Sequence, residues 1–78
     1  MTRTATVRTP VDAPETVARA VRPDNTEEMT TRVDDGAVVT DVERPDTGGL
    51  RSTVDDYVVN LTTAVQAHEL AIKHDTNE

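Results

Sequence analysis

The 78-residue sequence predicts an α+β fold: a three-stranded antiparallel sheet with two helices on one face. Three observations lead to it. Two stretches, residues 2–9 and 27–44, alternate apolar and polar side chains with the period of a strand. The second is broken by "DDG", and Asp-Gly between two alternating runs is a hairpin signal. "PETVARAV" and the segment from Leu50 to Lys73 instead place apolar residues at helical spacing. The order is strand, helix, strand, strand, helix, and a sheet with one polar face must take both helices on the other.

In the first strand Ala5 and Val7 share one face, while Thr4, Thr6 and Arg8 take the other. Thr and Val favour extended backbone, and Pro10 ends the run. Asp12 is placed to cap the following helix and Pro14 suits its first turn. Val17, Ala20 and Val21 make its stripe, and Pro23 closes it. In the hairpin Met29, Thr31 and Val33 alternate before the turn and Val38, Thr40 and Val42 alternate after it, with Thr30, Arg32, Asp41 and Glu43 on the polar side. Pro45 stops the strand, "DTGG" links onward, and Asp46 or Thr47 offers the cap of the last helix. His68, Lys73 and His74 lie toward the end of that helix, where positive charge is favoured. Residues 74–78 read as a frayed tail of a single domain spanning 1–78.

Composition narrows the function classes. A chain this short makes one domain with a small core, and such domains need disulfides, a metal or self-association. There is no Cys, and the two histidines have no matching ligand cluster, so self-association is the expected remedy. Phe and Trp are absent and Tyr57 is the only aromatic residue, which keeps the core thin. The net charge is −7, Asp outnumbers Glu, and Lys73 is the only lysine. That pattern resembles proteins of salt-loving archaea, where salt screens carboxylate repulsion. The charge then reflects the solvent and points to no basic ligand. No apolar run approaches the length of about 18 residues that spans a membrane, and the start "MTRTATVRT" lacks the apolar core of a signal peptide. A cytoplasmic protein with no membrane partner is expected.

No catalytic arrangement stands out. Ser52 has no histidine near it in sequence, and "DTGG" is too short for a phosphate loop. Asp34–Asp35 fall at a turn and Asp55–Asp56 are adjacent helix positions about 100° apart, so neither makes a facing acid/base pair. An enzyme, a cofactor and a small-molecule substrate are not expected.

The last helix carries the functional signal. Val54, Val58, Leu61, Val65, His68 and Ile72 recur at alternating spacings of four and three, with Leu50 one step back. Tyr57, Ala64, Ala67 and Ala71 form a second row beside them. One reading is a wide stripe that only covers the sheet and the short helix. In the other, one row packs on the sheet while part of the helix meets another chain; the thin core favours this one.

The order strand–helix–hairpin–helix, with "VVTDVERPDTGG" running into "LRSTVDDYVVNLTTAVQ", resembles the Pcc-type family, the small dimer-forming subunit of the KEOPS complex. The resemblance covers nearly the whole chain and is sharpest at Leu50-Arg51-Ser52 followed by Val54 and Val58. Acidic Asp55 and Asp56 and the few bulky apolar residues depart from it. The resemblance implies a subunit without catalytic activity that forms a two-fold homodimer. It implies that the long helices pack with helices of the threonylcarbamoyl-transferring subunit. The complex modifies the adenosine next to the anticodon of tRNAs, and the small subunit helps to engage the tRNA. On this reading Val54, Tyr57, Val58, Leu61, Ala64, Val65 and His68 meet the dimer mate or the partner. Arg8, Arg32 and Arg51 are the candidates for contact with tRNA or the rest of the complex. The competing expectation is an autonomous KH-like RNA-binding module, which the missing G-x-x-G turn and the negative charge disfavour.

Overall fold

The computed structural model describes the backbone from Thr2 to Thr76 and side chains from Thr2 to Leu70. The expectations for Ala71, Ile72, Lys73 and His74 side chains, and for Asn77 and Glu78, lie outside the described residues. The elements are β1 (Arg3–Pro10), α1 (Pro14–Val21), a 3₁₀ turn (Arg22–Asp24), β2 (Met29–Asp34), β3 (Ala37–Arg44) and α2 (Thr47–Thr76). They form the expected α+β fold. The sheet order is β1-β3-β2, all antiparallel, so the second hairpin strand inserts between the other two. Helix α1 packs on β2 and β3, and α2 packs on β1, β3 and α1.

Alternation in β1 places Ala5, Val7 and Thr9 half-buried under α2, with Thr4, Thr6 and Arg8 exposed on the open face. The hairpin pairs Val33 with Val38, Thr31 with Thr40 and Met29 with Val42. Asp35 and Gly36 have φ of 48° and 75°, and positive φ at both central residues is what a type I′ turn requires. Central β3 is buried on both faces from Ala37 to Thr40. Ala37 and Val39, on the open side, are shielded although nothing packs above them. Arg8 and Arg32 stand opposite Val39 on the two flanking strands, and their aliphatic stems cover it while their charges stay in water.

Two local expectations are corrected in α1. Ala13, not Asp12, is the N-cap residue, and no side chain caps the helix; Pro14 at the first position still sets its start. The buried residues are Val17, Ala18 and Val21, and Ala20 is exposed. Packing explains the rotation. The short helix touches the sheet below and α2 beside it, and the methyl of Ala18 lets α2 approach closely.

Helix α2 begins inside "DTGG", at Thr47, directly after one of the two expected caps. The Gly49 N–H donates to Asp46 Oδ1 at 2.6 Å and the Leu50 N–H to the Asp46 carbonyl at 3.0 Å, so Asp46 is the N-cap. Arg44 runs beneath this first turn: a Cβ on Gly49 would lie 3.2 Å from its guanidinium. The Arg44 guanidinium also pairs with Glu28 at 3.0 Å, which ties the end of β3 to the start of β2. The core is Val17, Ala18, Val21, Val38, Tyr57 and Leu61, with Val7, Val11, Met29, Val33, Ala64 and Val65 around it.

Two glycine substitutions separate backbone strain from helix propensity. Gly36→Ala forces a side chain into φ 75° with no contact to compensate, and is expected to cost about 1 kcal/mol. Gly48→Ala, in the first turn of α2 with only Asp46 Oδ1 at 3.6 Å, is expected to stabilise by about 0.5 kcal/mol. Denaturant midpoints at one protein concentration check both; equal shifts of the same sign would contradict the assigned turn.

Candidate interaction surface

The roll of α2 about its axis decides which of its side chains a partner could meet. A hydrogen-bonded chain of polar groups, half-buried at Asn25 and Thr31 and buried at Thr40 and Tyr57, sets that roll. Asn25 Nδ2 donates to Thr31 Oγ1 at 2.6 Å, Thr31 and Thr40 share a hydrogen bond at 2.8 Å between their hydroxyls, and Thr40 donates to the Tyr57 hydroxyl at 2.6 Å. Thr40 is fully buried and Tyr57 is 2% exposed. Inside a low-dielectric core each of these groups needs its partner, so the helix cannot rotate without stranding one of them.

This roll splits the predicted contact residues. Tyr57 and Leu61 point into the chain's own core, which corrects their assignment to a surface open to a partner. Their rows looked separate in sequence, but residues at 57, 61, 64 and 68 lie on one side of a helix with 3.6 residues per turn. Val54, Ala64, Val65 and His68 are half-buried at the margin. Val65 and His68 line a groove of about 320 Å³ together with Thr9, Pro10 and Val11 at the end of β1. On the other flank Thr53, Asp56 and Asn60 face Asp24, Thr26 and Met29. Val58, seven residues before Val65, lies on the same flank of the helix, and it is 43% exposed. Val59 and Leu70 point away from the core and are 64% and 68% exposed. Neither was singled out as a contact residue from sequence, although Leu70 lay off both apolar rows.

The three candidate arginines do not converge. Arg8 and Arg32 share the open sheet face, where Arg8 pairs with Asp34 at 3.7 Å and Arg32 pairs with Asp41. Asp41 also accepts from the Thr6 hydroxyl at 2.7 Å. The Thr6 bond and then the Arg32 bond hold its carboxyl below the usual aspartate range. Arg51 lies on the helix side of the molecule and is exposed, with no ion pair among the described residues. Among the described residues no three His, Cys, Asp or Glu side chains are placed to hold a metal ion. No described helix is long and apolar enough to cross a membrane.

Sequence comparisons leave the chain without a matched relative: no protein-family model matches it, and no curated protein does.

Truncation on the two sides of α2 should have different consequences. Leu61→Ala leaves a void in the core and is expected to cost about 2–4 kcal/mol of folding stability. Val59→Ala, on the outward face, is expected to stay within about 0.5 kcal/mol of the parent. Urea titrations followed by circular dichroism measure both; comparable losses would mean that α2 is rolled differently.

Proposed function

We propose that this chain is a non-catalytic, homodimerising assembly subunit of the KEOPS complex. In this reading it acts in the cytoplasm of a salt-adapted cell and supports threonylcarbamoylation of the adenosine next to the tRNA anticodon. It binds the threonylcarbamoyl-transferring subunit and helps to engage tRNA, without a cofactor or small-molecule substrate of its own. The observation that carries the reading is α2: one helix side is satisfied by the sheet and α1, yet Val58, Val59 and Leu70 remain exposed outside that side. Exposed apolar side chains on a long helix fit a helix-on-helix contact with another subunit. The strand–helix–hairpin–helix order and the "LRSTV" opening of α2 support the family assignment. Arg51, exposed near the start of α2, is the arginine best placed for tRNA; Arg8 and Arg32 are engaged with Asp34 and Asp41, which also weighs against the KH-like alternative.

Depleting the chain in its native cell tests the reading. Mass spectrometry of digested tRNA should show loss of threonylcarbamoyladenosine, restored by the parent sequence. Val59→Asp should restore it poorly while the purified variant keeps its fold, because an unpaired carboxylate at the subunit contact is costly to desolvate. Unchanged modification after depletion would overturn the proposal.

A further inference from the structure

Against a net charge of −7, one end of the molecule collects arginines. Arg3 opens β1 and is the register partner of Arg44 at the end of β3. Both follow the alternation of Val7 and Val42, so both stand on the helix side of the sheet. Like charges directly opposite on neighbouring strands destabilise a sheet. Arg51 stands just beyond the first turn of α2, and the dipole of a 30-residue helix disfavours positive charge at that end. It precedes Val58 and Val65 at seven-residue steps and so shares their flank, which meets β1 at Thr9 and Pro10. The first turn of α2 carries no acidic residue to suit the dipole. Residues that break local electrostatic rules together mark a functional site.

The donors at this end are short of acceptors. Asp46 takes the Gly49 N–H on its carboxylate and the Leu50 N–H on its carbonyl. The N–H groups of Thr47 and Gly48 have no partner among the described residues. Arg44 Nη1 pairs with Glu28 at 3.0 Å. Arg44 Nε has neither a partner nor exposed surface, and it lies under Gly49, where a Cβ would come within 3.2 Å of it. Arg3 and Arg51 are exposed and make no ion pair among the described residues. Glu43 faces Thr4 on the open face of the sheet. Arg3, Arg44 and Arg51 are thus set against Glu28 and Asp46 alone, with the positive pole of α2 added.

We infer that the start of α2 is a phosphate-binding site. The Thr47 and Gly48 N–H groups donate to the anion, Arg3 and Arg51 close on it from β1 and α2, and Arg44 adds its charge from beneath. A tetrahedral anion has the several acceptor oxygens that this set of donors requires, and forked guanidinium groups bond to it in pairs. Bound phosphate offsets the repulsion between Arg3 and Arg44. The phosphate is either a free anion or a group in a nucleic-acid backbone. The proposed function offers the second source, through tRNA, but the site stands without it.

Nuclear magnetic resonance of the full chain in molar potassium chloride tests the site, with inorganic phosphate as the probe. Saturable shifts of the Thr47 and Gly48 amides and of the Arg3, Arg44 and Arg51 Nε–H signals are expected. Arg3→Gln together with Arg51→Gln should raise the phosphate dissociation constant about tenfold or more. Without phosphate this double variant should melt no lower than the parent, because like charges are removed. A short single-stranded RNA is the second probe. RNA that binds more tightly than phosphate, with a salt slope that flattens by about one per arginine removed, assigns the site to a nucleic-acid backbone. RNA that binds no better assigns it to the free anion. Absence of saturable shifts with both probes would overturn the site. Shifts that persist unchanged in the double variant would mean an adventitious ion only and would overturn it too. If the double variant does not fold, the parent decides: shifts centred away from Thr47 and Gly48 sink the assignment. None of these outcomes touches the depletion experiment, so the site and the proposed function fail separately.

Discussion

The hydrogen-bonded chain from Asn25 through Thr31 and Thr40 to Tyr57 is the constraint on which the arrangement of this molecule depends. It crosses the whole helix-side layer, from the loop after α1, over two strands, into α2. Each link joins a different element, so the chain fixes three relations at once: the register of the hairpin, the seat of the loop after the 3₁₀ turn, and the roll of α2. The apolar contacts around it are made by small side chains, mostly Val and Ala, which interlock weakly and would tolerate a rotated helix. Unpaired hydroxyls in the same place would not be tolerated, because a stranded buried polar group costs about 1–3 kcal/mol. Specificity of packing in this thin core comes from polar groups as much as from shape.

The placement of the exposed apolar residues follows from that roll. With Tyr57 held down, Leu61 follows it into the core, Val58 is carried to the flank that bears Val65, and Val59 and Leu70 face outward. The core therefore consumes one side of α2 and leaves apolar residues on two others. One of those is the flank shared with Val65 and the other faces away from the core. In the proposed assembly the flank meets a second copy and the outward face meets the transferase subunit, so two interfaces occupy one helix without competing. The open sheet face contributes differently: Thr6, Arg32 and Asp41 form a bonded cluster, and Arg8 and Arg32 roof Val39. Its charges are matched to each other, which suits a solvated face.

Much of this was legible in the sequence. The period-two runs and the Asp-Gly turn located β1, β2 and β3, because alternation and positive φ are local properties. The Asp46 cap and the Pro14 start were legible for the same reason. The strand order was not, since nothing local says that β3 inserts between β2 and β1. The stripe of α1 was misread at Ala18 and Ala20: an alanine is equally compatible with either side, and only the position of α2 decides. Tyr57 and Leu61 were assigned to a contact surface because a wide apolar arc has no internal mark of where core ends. The signal that could have drawn the boundary was the pair Thr31 and Thr40, two hydroxyls on the apolar face at facing positions, which call for a polar group from the layer above. Tyr57 is the only aromatic hydroxyl in the chain.

A double-mutant cycle on Thr40 and Tyr57 tests the central claim most directly. Thr40→Val and Tyr57→Phe each remove one hydroxyl with nearly unchanged shape, and the pair removes both. If their hydrogen bond locks α2, Thr40→Val strands the Tyr57 hydroxyl and Tyr57→Phe leaves the Thr40 hydroxyl with Thr31 as its one partner, and the double variant should be more stable than the sum of the single losses predicts, by about 0.5–3 kcal/mol. Losses that add within about 0.3 kcal/mol would mean that the two hydroxyls act independently and that something else sets the roll of the helix.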